Sequence, residues 1–270
     1  MTPVRPLSLV TGASAGIGAA FARALAARGH DLVLTARRVD RLESLAGELR
    51  QQHACKVTAL AADLADPAAP GTLCDELAQR GLAVDWLINN AGYGVPGTFV
   101  ANDWRTHADF LQVLLTAPVE LAWRLLPGMR ERGYGRIVNV ASLAGHVPGT
   151  AGHTLYAPAK AFLIKFSQGL ALESHERGVH VCALCPGFTY SEFHDVTGTR
   201  MLMNKLPGFM WQSAEAVVTE GIDAVERGEI VHVTGRVNRM IKTMFKLLPD
   251  RVAMNLSARQ SKRYRAQDAA

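Results

Sequence analysis

The sequence predicts an α/β domain built on a doubly wound sheet of about seven parallel strands, with helices on both faces. Three observations lead there. Short apolar runs alternate with helical stretches of ten residues or more along nearly the whole chain, which implies right-handed crossovers between parallel strands. The 270 residues, 49% apolar and 20% charged, suit one large globular domain. A glycine-rich turn sits between the first strand and the first helix, inside a βαβ unit.

Leu7–Thr11 reads as the first strand, and 17–28 as an Ala-rich helix ended by Gly29. Residues 31–35 form a second strand. The helix 39–52 follows, with Arg41, Glu43, Glu48 and Arg50 on its wet side. Further strands are expected at 56–61, 84–88, 136–140, 179–184 and 230–233. Helices near 68–80, 104–131, 157–177 and 214–227 separate them. No repeat, linker or low-complexity tract interrupts the pattern. Residues 1–235 therefore read as a single domain and 236–270 as a basic C-terminal extension packed on it.

Composition removes several function classes. No apolar run reaches the ~18 residues of a membrane span, and Met1 to Pro6 shows no signal-peptide core. The expectation is a cytoplasmic protein. The net charge is +5, but residues 236–270 hold nine of the 29 Lys/Arg and two of the 24 Asp/Glu. The body is slightly acidic, so no nucleic-acid surface is expected. Cys182 and Cys185 form a CxxC inside an apolar strand, where residues three apart face opposite ways. With no second cysteine pair, Cys55 and Cys74 being isolated, free thiols are expected and no metal.

In Thr11-Gly12-Ala13-Ser14-Ala15-Gly16-Ile17-Gly18 the three glycines permit a tight turn and a close backbone approach to a diphosphate. The helix that opens at Ile17 offers free N–H groups and a positive dipole end. A glycine-rich connection with no ligand is the alternative. The spacing G-x-x-x-G-x-G resembles the glycine motif of the short-chain dehydrogenase/reductase family, whose fold is Rossmann-like. That resemblance spans about residues 5–235.

The end of the second strand should meet the adenosine ribose. It reads Thr35-Ala36-Arg37-Arg38, with no carboxylate to repel a 2′-phosphate. A guanidinium matches phosphate bidentately, so Arg37 and Arg38 favour NADP(H) over NAD(H). The alternative makes them ordinary surface residues at a helix start. By resemblance, Asp63 and Leu64 form the adenine-contacting turn, and Asn89-Asn90-Ala91-Gly92 is the Asn-Asn-Ala-Gly motif, with Asn90, Ala91 and Gly92 at the cofactor. Paired Asn side chains at a strand end also satisfy neighbouring backbone groups, a structural role.

Tyr156 and Lys160 lie four apart on one helical face, with Pro158 placing them in a first turn. The Lys160 charge and the helix dipole are expected to favour tyrosinate, tuning a phenol for proton transfer. Ser142 follows the strand 136–140 at the carboxyl end of the sheet, where open α/β folds place ligands. The set resembles the family's catalytic group. That implies Ser142 orienting the substrate, Tyr156 as general acid/base, and Lys160 lowering the tyrosine pKa and holding the nicotinamide ribose. Pro186, Gly187, Thr189 and Ser191 resemble its Pro-Gly turn at the carboxamide and diphosphate.

One position departs. The family's Asn in the long helix after the fourth strand, which holds a relay water, falls on Leu114. Either the proton takes another route, or turnover is slow, or the fold has been turned to binding. Residues 192–213 are strongly apolar and suit a hydrophobic substrate, or else pack on their own core. His146, His153 and His194 flank the expected pocket without an assigned role. The basic amphipathic stretch 239–248 lies on an anionic membrane, covers a subunit interface, or packs on its own domain with its cations in water; the last is favoured.

The functional expectation is reversible NADP(H)-dependent hydride transfer between cofactor and a carbonyl/alcohol substrate. The alternatives are a nucleotide-binding scaffold with little turnover and a 3-oxoacyl thioester reductase. Resemblance also implies a homodimer or homotetramer.

Overall fold

The computed structural model describes residues 5–190 and 208–265. Among the described residues nine strands run in chain order: β1 Leu7–Thr11, β2 Asp31–Ala36, β3 Val57–Ala61, β4 Trp86–Asn89, β5 Gly135–Val140, β6 Val179–Cys185, β7 Phe188–Thr189, β8 Trp211–Gln212 and β9 Val231–Val233. Seven form one sheet in the order β3-β2-β1-β4-β5-β6-β9, parallel at every pairing. This is the doubly wound sheet expected, and its order reverses between β1 and β4, where such folds open a ligand crevice.

Strand periodicity explains the layers. Leu9, Val33, Leu87, Ile137 and Val181 point to one face, against Leu73 and Leu77 of α3 (Ala69–Gln79) and Leu121, Leu126 and Met129 of α5 (Ala117–Glu131). Their neighbours Val10, Leu32, Leu34, Ile88, Val138 and Leu184 point to the other. There they meet Phe21 and Leu25 of α1 (Gly16–Ala27), Leu42 and Leu49 of α2 (Val39–His53), and Val217 and Ile222 of the helix Ala214–Glu226. Burying one such side chain contributes roughly 1.5–3 kcal/mol.

Three differences from expectation have physical causes. The stretch 104–131 is not one helix: α4 (Trp104–Leu111) passes through a π turn, Gln112–Thr116, into α5. Pro118 brings no N–H and its ring crowds the carbonyl four residues back, at Leu114; a widened turn relieves both. β7 and β8 pair with each other, Phe188 with Trp211 and Thr189 with Gln212, outside the main sheet. Two-residue pairings carry no periodicity to read. After β9 there are two helices rather than one, Arg236–Leu247 and Asp250–Arg265.

The first of these packs Ile241 against Ala141, Leu143, Leu163 and Val233. From the second, the Ser257 hydroxyl donates to the Gly149 carbonyl at 2.9 Å. Cys182 and Cys185 face different clusters of the core as free thiols, each pushed up to about 12 by burial. Among the described residues no helix is long and apolar enough to cross a membrane, and no group of three or more His, Cys, Asp or Glu could hold a metal.

Candidate active site

The glycine turn joins β1 to α1. Gly12 and Gly16 take φ of 65° and 54°, a region in which only glycine is unstrained. Gly18 is constrained by space: a Cβ there would fall on the Gly12 carbonyl and 2.5 Å from Asn90 Nδ2. Ala15 is the N-cap of α1 and offers no side-chain acceptor. The first-turn N–H groups are thus left for an anion, and the cradle fits a diphosphate.

Asn90 is the clasp of this turn. Its Nδ2 donates to the carbonyls of Thr11 (3.0 Å) and Gly12 (3.2 Å). Thr11 Oγ1 in turn accepts from the backbone N–H groups of Asn90 and Ala91, at 2.9 and 3.0 Å. Asn89, the first residue of the Asn-Asn-Ala-Gly stretch, donates to Asn139 Oδ1 at 2.9 Å and to the Pro118 carbonyl at 3.2 Å, tying β4 to β5 and α5.

At the end of β2, Arg37 and Arg38 are exposed. Arg38 Nη2 donates to Ser14 Oγ at 3.0 Å, which brings the guanidinium onto the glycine turn. Asp63 is exposed and its Oδ1 accepts from Ala65 N at 3.1 Å. Leu64 turns into a cluster with Phe110, Val113 and Leu114, so its side chain serves the core while its backbone rims the crevice.

Ser142 follows β5 and caps the short turn Leu143–His146, its Oγ accepting from Ala144 N at 3.1 Å. Helix α6 (Tyr156–Ser174) begins at Tyr156 with Pro158 in its first turn. The Tyr156 and Ser142 side chains are hydrogen-bonded. One turn along, Lys160 is buried and donates to the Val140 carbonyl at 2.8 Å. Its Nζ lies 5.6 Å from the Tyr156 ring centroid.

The electrostatics correct one expectation. Tyr156 is not drawn toward tyrosinate: burial pushes it up to about 12, with the Ser142 hydrogen bond acting the other way. Burial likewise pushes Lys160 down to about 8. With Lys160 buried and Tyr156 half-buried, desolvation exceeds the pull of ammonium on phenol.

Leu114 is 1% exposed, in the middle of the π turn. It packs with Ala159 and Phe110. A Cβ on Gly92 would lie 3.6 Å from Leu114 Cγ and 3.8 Å from Lys160 Nζ, so an apolar side chain stands beside the lysine where the resemblance implied an amide.

The Pro186 carbonyl accepts from Leu143 N at 2.8 Å, which joins the Pro-Gly turn to the serine turn. A Cβ on Gly187 would fall against the Asn238 amide, 2.5 Å from its Cγ. Asn238 is buried, and its Nδ2 donates to Gln212 Oε1 and to the Thr234 carbonyl. Sequence reasoning missed this support, because nothing in a basic tail marks one Asn as facing inward. Thr189 is buried, its hydroxyl donating to the Gly187 carbonyl at 3.2 Å. Ser191, His194 and most of the apolar stretch 192–213 lie outside the described residues. His146 is pushed down to about 4 by burial, and burial lowers His153 as well. Beside Tyr156 opens a cleft lined by Val95, Phe99, His107, Phe110 and Leu155, in which His107 Nε2 donates to the Phe99 carbonyl at 2.8 Å.

Comparison with known proteins gives this arrangement a lineage. The family model described as short chain dehydrogenase matches residues 7–201. The chain is similar to Nodulation protein G of Rhizobium sp. (strain N33), 36% identical over 240 residues, covering 84% of this chain and 95% of that protein. It is similar to the Very-long-chain 3-oxoacyl-CoA reductase of Anas platyrhynchos, 30% identical over 270 residues, covering 96% and 81%. Among solved structures, a short-chain dehydrogenase from Sphingobium yanoikuyae in complex with NADPH matches with a TM-score of 0.79 at 33% identity, over 90% of this chain and 96% of that one.

Proposed function

The chain belongs to the short-chain dehydrogenase family of oxidoreductases, and on that premise we propose that it catalyses reversible, NADP(H)-dependent hydride transfer to a hydrophobic carbonyl substrate. The observation that carries the reading is the Ser142–Tyr156 hydrogen bond, one helical turn from buried Lys160 and beside a cleft lined by Phe99, Phe110 and His107. The exposed Arg37 and Arg38, with no carboxylate between Thr35 and Arg38, support NADP(H) over NAD(H). So does the NADPH bound by the Sphingobium relative.

The bound nicotinamide supplies the hydride. The chain's own groups manage the oxygen. Ser142 donates to the substrate carbonyl and orients it. Tyr156, a phenol at neutral pH because burial holds it near 12, passes its proton to the oxygen as negative charge develops there. That protonation state suits reduction. Lys160 is mostly cationic at pH 7 with a value of about 8, and it holds the ribose and stabilises charge on Tyr156. The glycine turn with Ser14, Ala15 and Ile17, the turn at Asp63 and Leu64, Asn90 to Gly92, and Pro186, Gly187, Thr189 and Ser191 complete the cofactor site.

Phe99, Phe110, Val95 and Leu155 favour a long or bulky apolar carbonyl. The 3-oxoacyl-CoA named for the duck relative belongs to that class. Residues 1–235 act as one catalytic domain with 236–270 packed against it. Trp123 and Leu172, both exposed on the long helices α5 and α6, support pairing into a homodimer or homotetramer. Leu114 favours a second reading, a nucleotide-binding scaffold with little turnover. NADPH oxidation against ketones, aldehydes and 3-oxoacyl thioesters separates them. Tyr156→Phe should lower turnover by about 10²–10⁴-fold; equal rates in both proteins would sink the mechanism.

A further inference from the structure

The two helices after β9 present an apolar face to water. The first turns Asn238 and Ile241 inward. Its outer side carries Met240, Met244 and Leu247, at i, i+4 and i+7, with 66%, 46% and 78% of their surface exposed. The second helix adds Val252 and Leu256, at i and i+4, with 43% and 37% exposed. A helix merely packed on its own domain buries its large apolar side chains and leaves its cations in water; here both are outside.

Arg236, Arg239, Lys246 and Arg251 are exposed among these side chains. The single carboxylate between Arg236 and Ala258 is Asp250. Among the described residues, Arg239 pairs with Glu220 at 3.1 Å. Large apolar groups flanked by Lys and Arg are the composition of a helix that lies in a lipid headgroup layer.

We propose that the exposed apolar side chains Met240, Met244 and Leu247 of the first helix, with Val252 and Leu256 of the second, dock on an anionic lipid surface, with Arg236, Lys246 and Arg251 against the phosphates. Charge selects lipid over a second copy of the chain. Residues 236–270 hold nine Lys/Arg against two Asp/Glu, so two such faces repel one another, whereas each basic residue near an anionic leaflet adds attraction. The docking does not depend on the identity of the substrate. It does place lipid close to the chemistry, because Ile241 on the inner side of the same helix packs on Leu143, next to Ser142. One helix diameter, about 10 Å, then separates bilayer from serine turn, so apolar substrates would reach the cleft from the membrane phase.

The test uses the full chain and vesicle flotation, with phosphatidylcholine alone or with about a third phosphatidylglycerol. The expected result is flotation only with the anionic vesicles, weakened by salt. Met240→Asp with Leu247→Asp should abolish flotation. Lys246→Glu with Arg251→Glu should weaken it roughly tenfold or more. All four positions are exposed, so both variants should keep the parent's thermal midpoint. Equal binding to neutral and anionic vesicles, or no binding to either, overturns the proposal. So does loss of an oligomer, rather than of flotation, in the Asp variant on sedimentation, since the face would then join copies of the chain.

Discussion

Lys160 ties stability to catalysis in a way that can be measured. Burial lowers its pKa from an ordinary 10.5 to about 8. Between those values the unfolded chain binds a proton that the folded chain has released, so stability rises with pH across that window. At ~1.4 kcal/mol per pKa unit, integration from pH 7 to pH 10 gives a gain of about 2.5 kcal/mol. Lys160→Met cannot show it. The Met variant also strands the Val140 carbonyl, which Lys160 now satisfies, at a cost of ~1–3 kcal/mol, but that loss does not vary with pH. Tyr156 titrates with the opposite sign above pH 10 and is common to both proteins, so it cancels. The assay is urea unfolding of the cofactor-free protein and the variant at several values between pH 7 and pH 10. Wild type should gain about 2.5 kcal/mol on the variant across that range, or roughly 5–10 °C in midpoint at this size. A difference that stays constant with pH would refute the reasoning: Lys160 would then titrate alike in folded and unfolded chains.

Three further outcomes are expected. Arg37→Asp, alone or with Arg38→Asp, should shift the NADPH/NADH ratio of kcat/KM toward NADH; an unchanged ratio removes these residues from the 2′-phosphate. Gly18→Ala forces a methyl onto the Gly12 carbonyl and should cost roughly 1–3 kcal/mol together with NADPH affinity, read by titration calorimetry and thermal melting. If the Ala variant binds NADPH as the parent does, the turn is not the cradle. Leu114→Asn should leave the fold intact and raise kcat, as a polar side chain beside Lys160 restores a place for water. No kinetic change would make that position irrelevant to proton flow.

What could be read from the sequence was whatever a local pattern dictates. Runs such as Leu7–Thr11 and Val179–Cys185 declare their strands, and the G-x-x-x-G-x-G turn requires glycine by sterics alone. Pro158 placed Tyr156 in a first turn because proline tolerates few helix positions. Other features depend on contacts between distant residues. The clash between an Asn238 amide and a Cβ on Gly187 joins positions fifty-one apart in number, and no periodicity records it. The break at Gln112–Thr116 needed Pro118 to be weighed against the carbonyl of Leu114. The direction of the Tyr156 shift was missed because a nearby charge can be read from i,i+4 spacing, whereas the depth of burial that outweighs it cannot. On the last helices, the heptad-like spacing of Met240, Met244 and Leu247 was visible, but not that this stripe faces outward.

The contact between Asn238 and Gly187 also sets an order of events during synthesis. Ser142, Tyr156 and Lys160 all leave the ribosome before the residues that back the Pro-Gly turn, and β6 emerges before β9, the strand that pairs its free edge. Until Val231–Val233 arrives, the nascent sheet ends in an open edge of the kind other chains add to. The pocket and the sheet are therefore completed by the same late segment. A polypeptide cut short before Val231 would be both catalytically unfinished and adhesive.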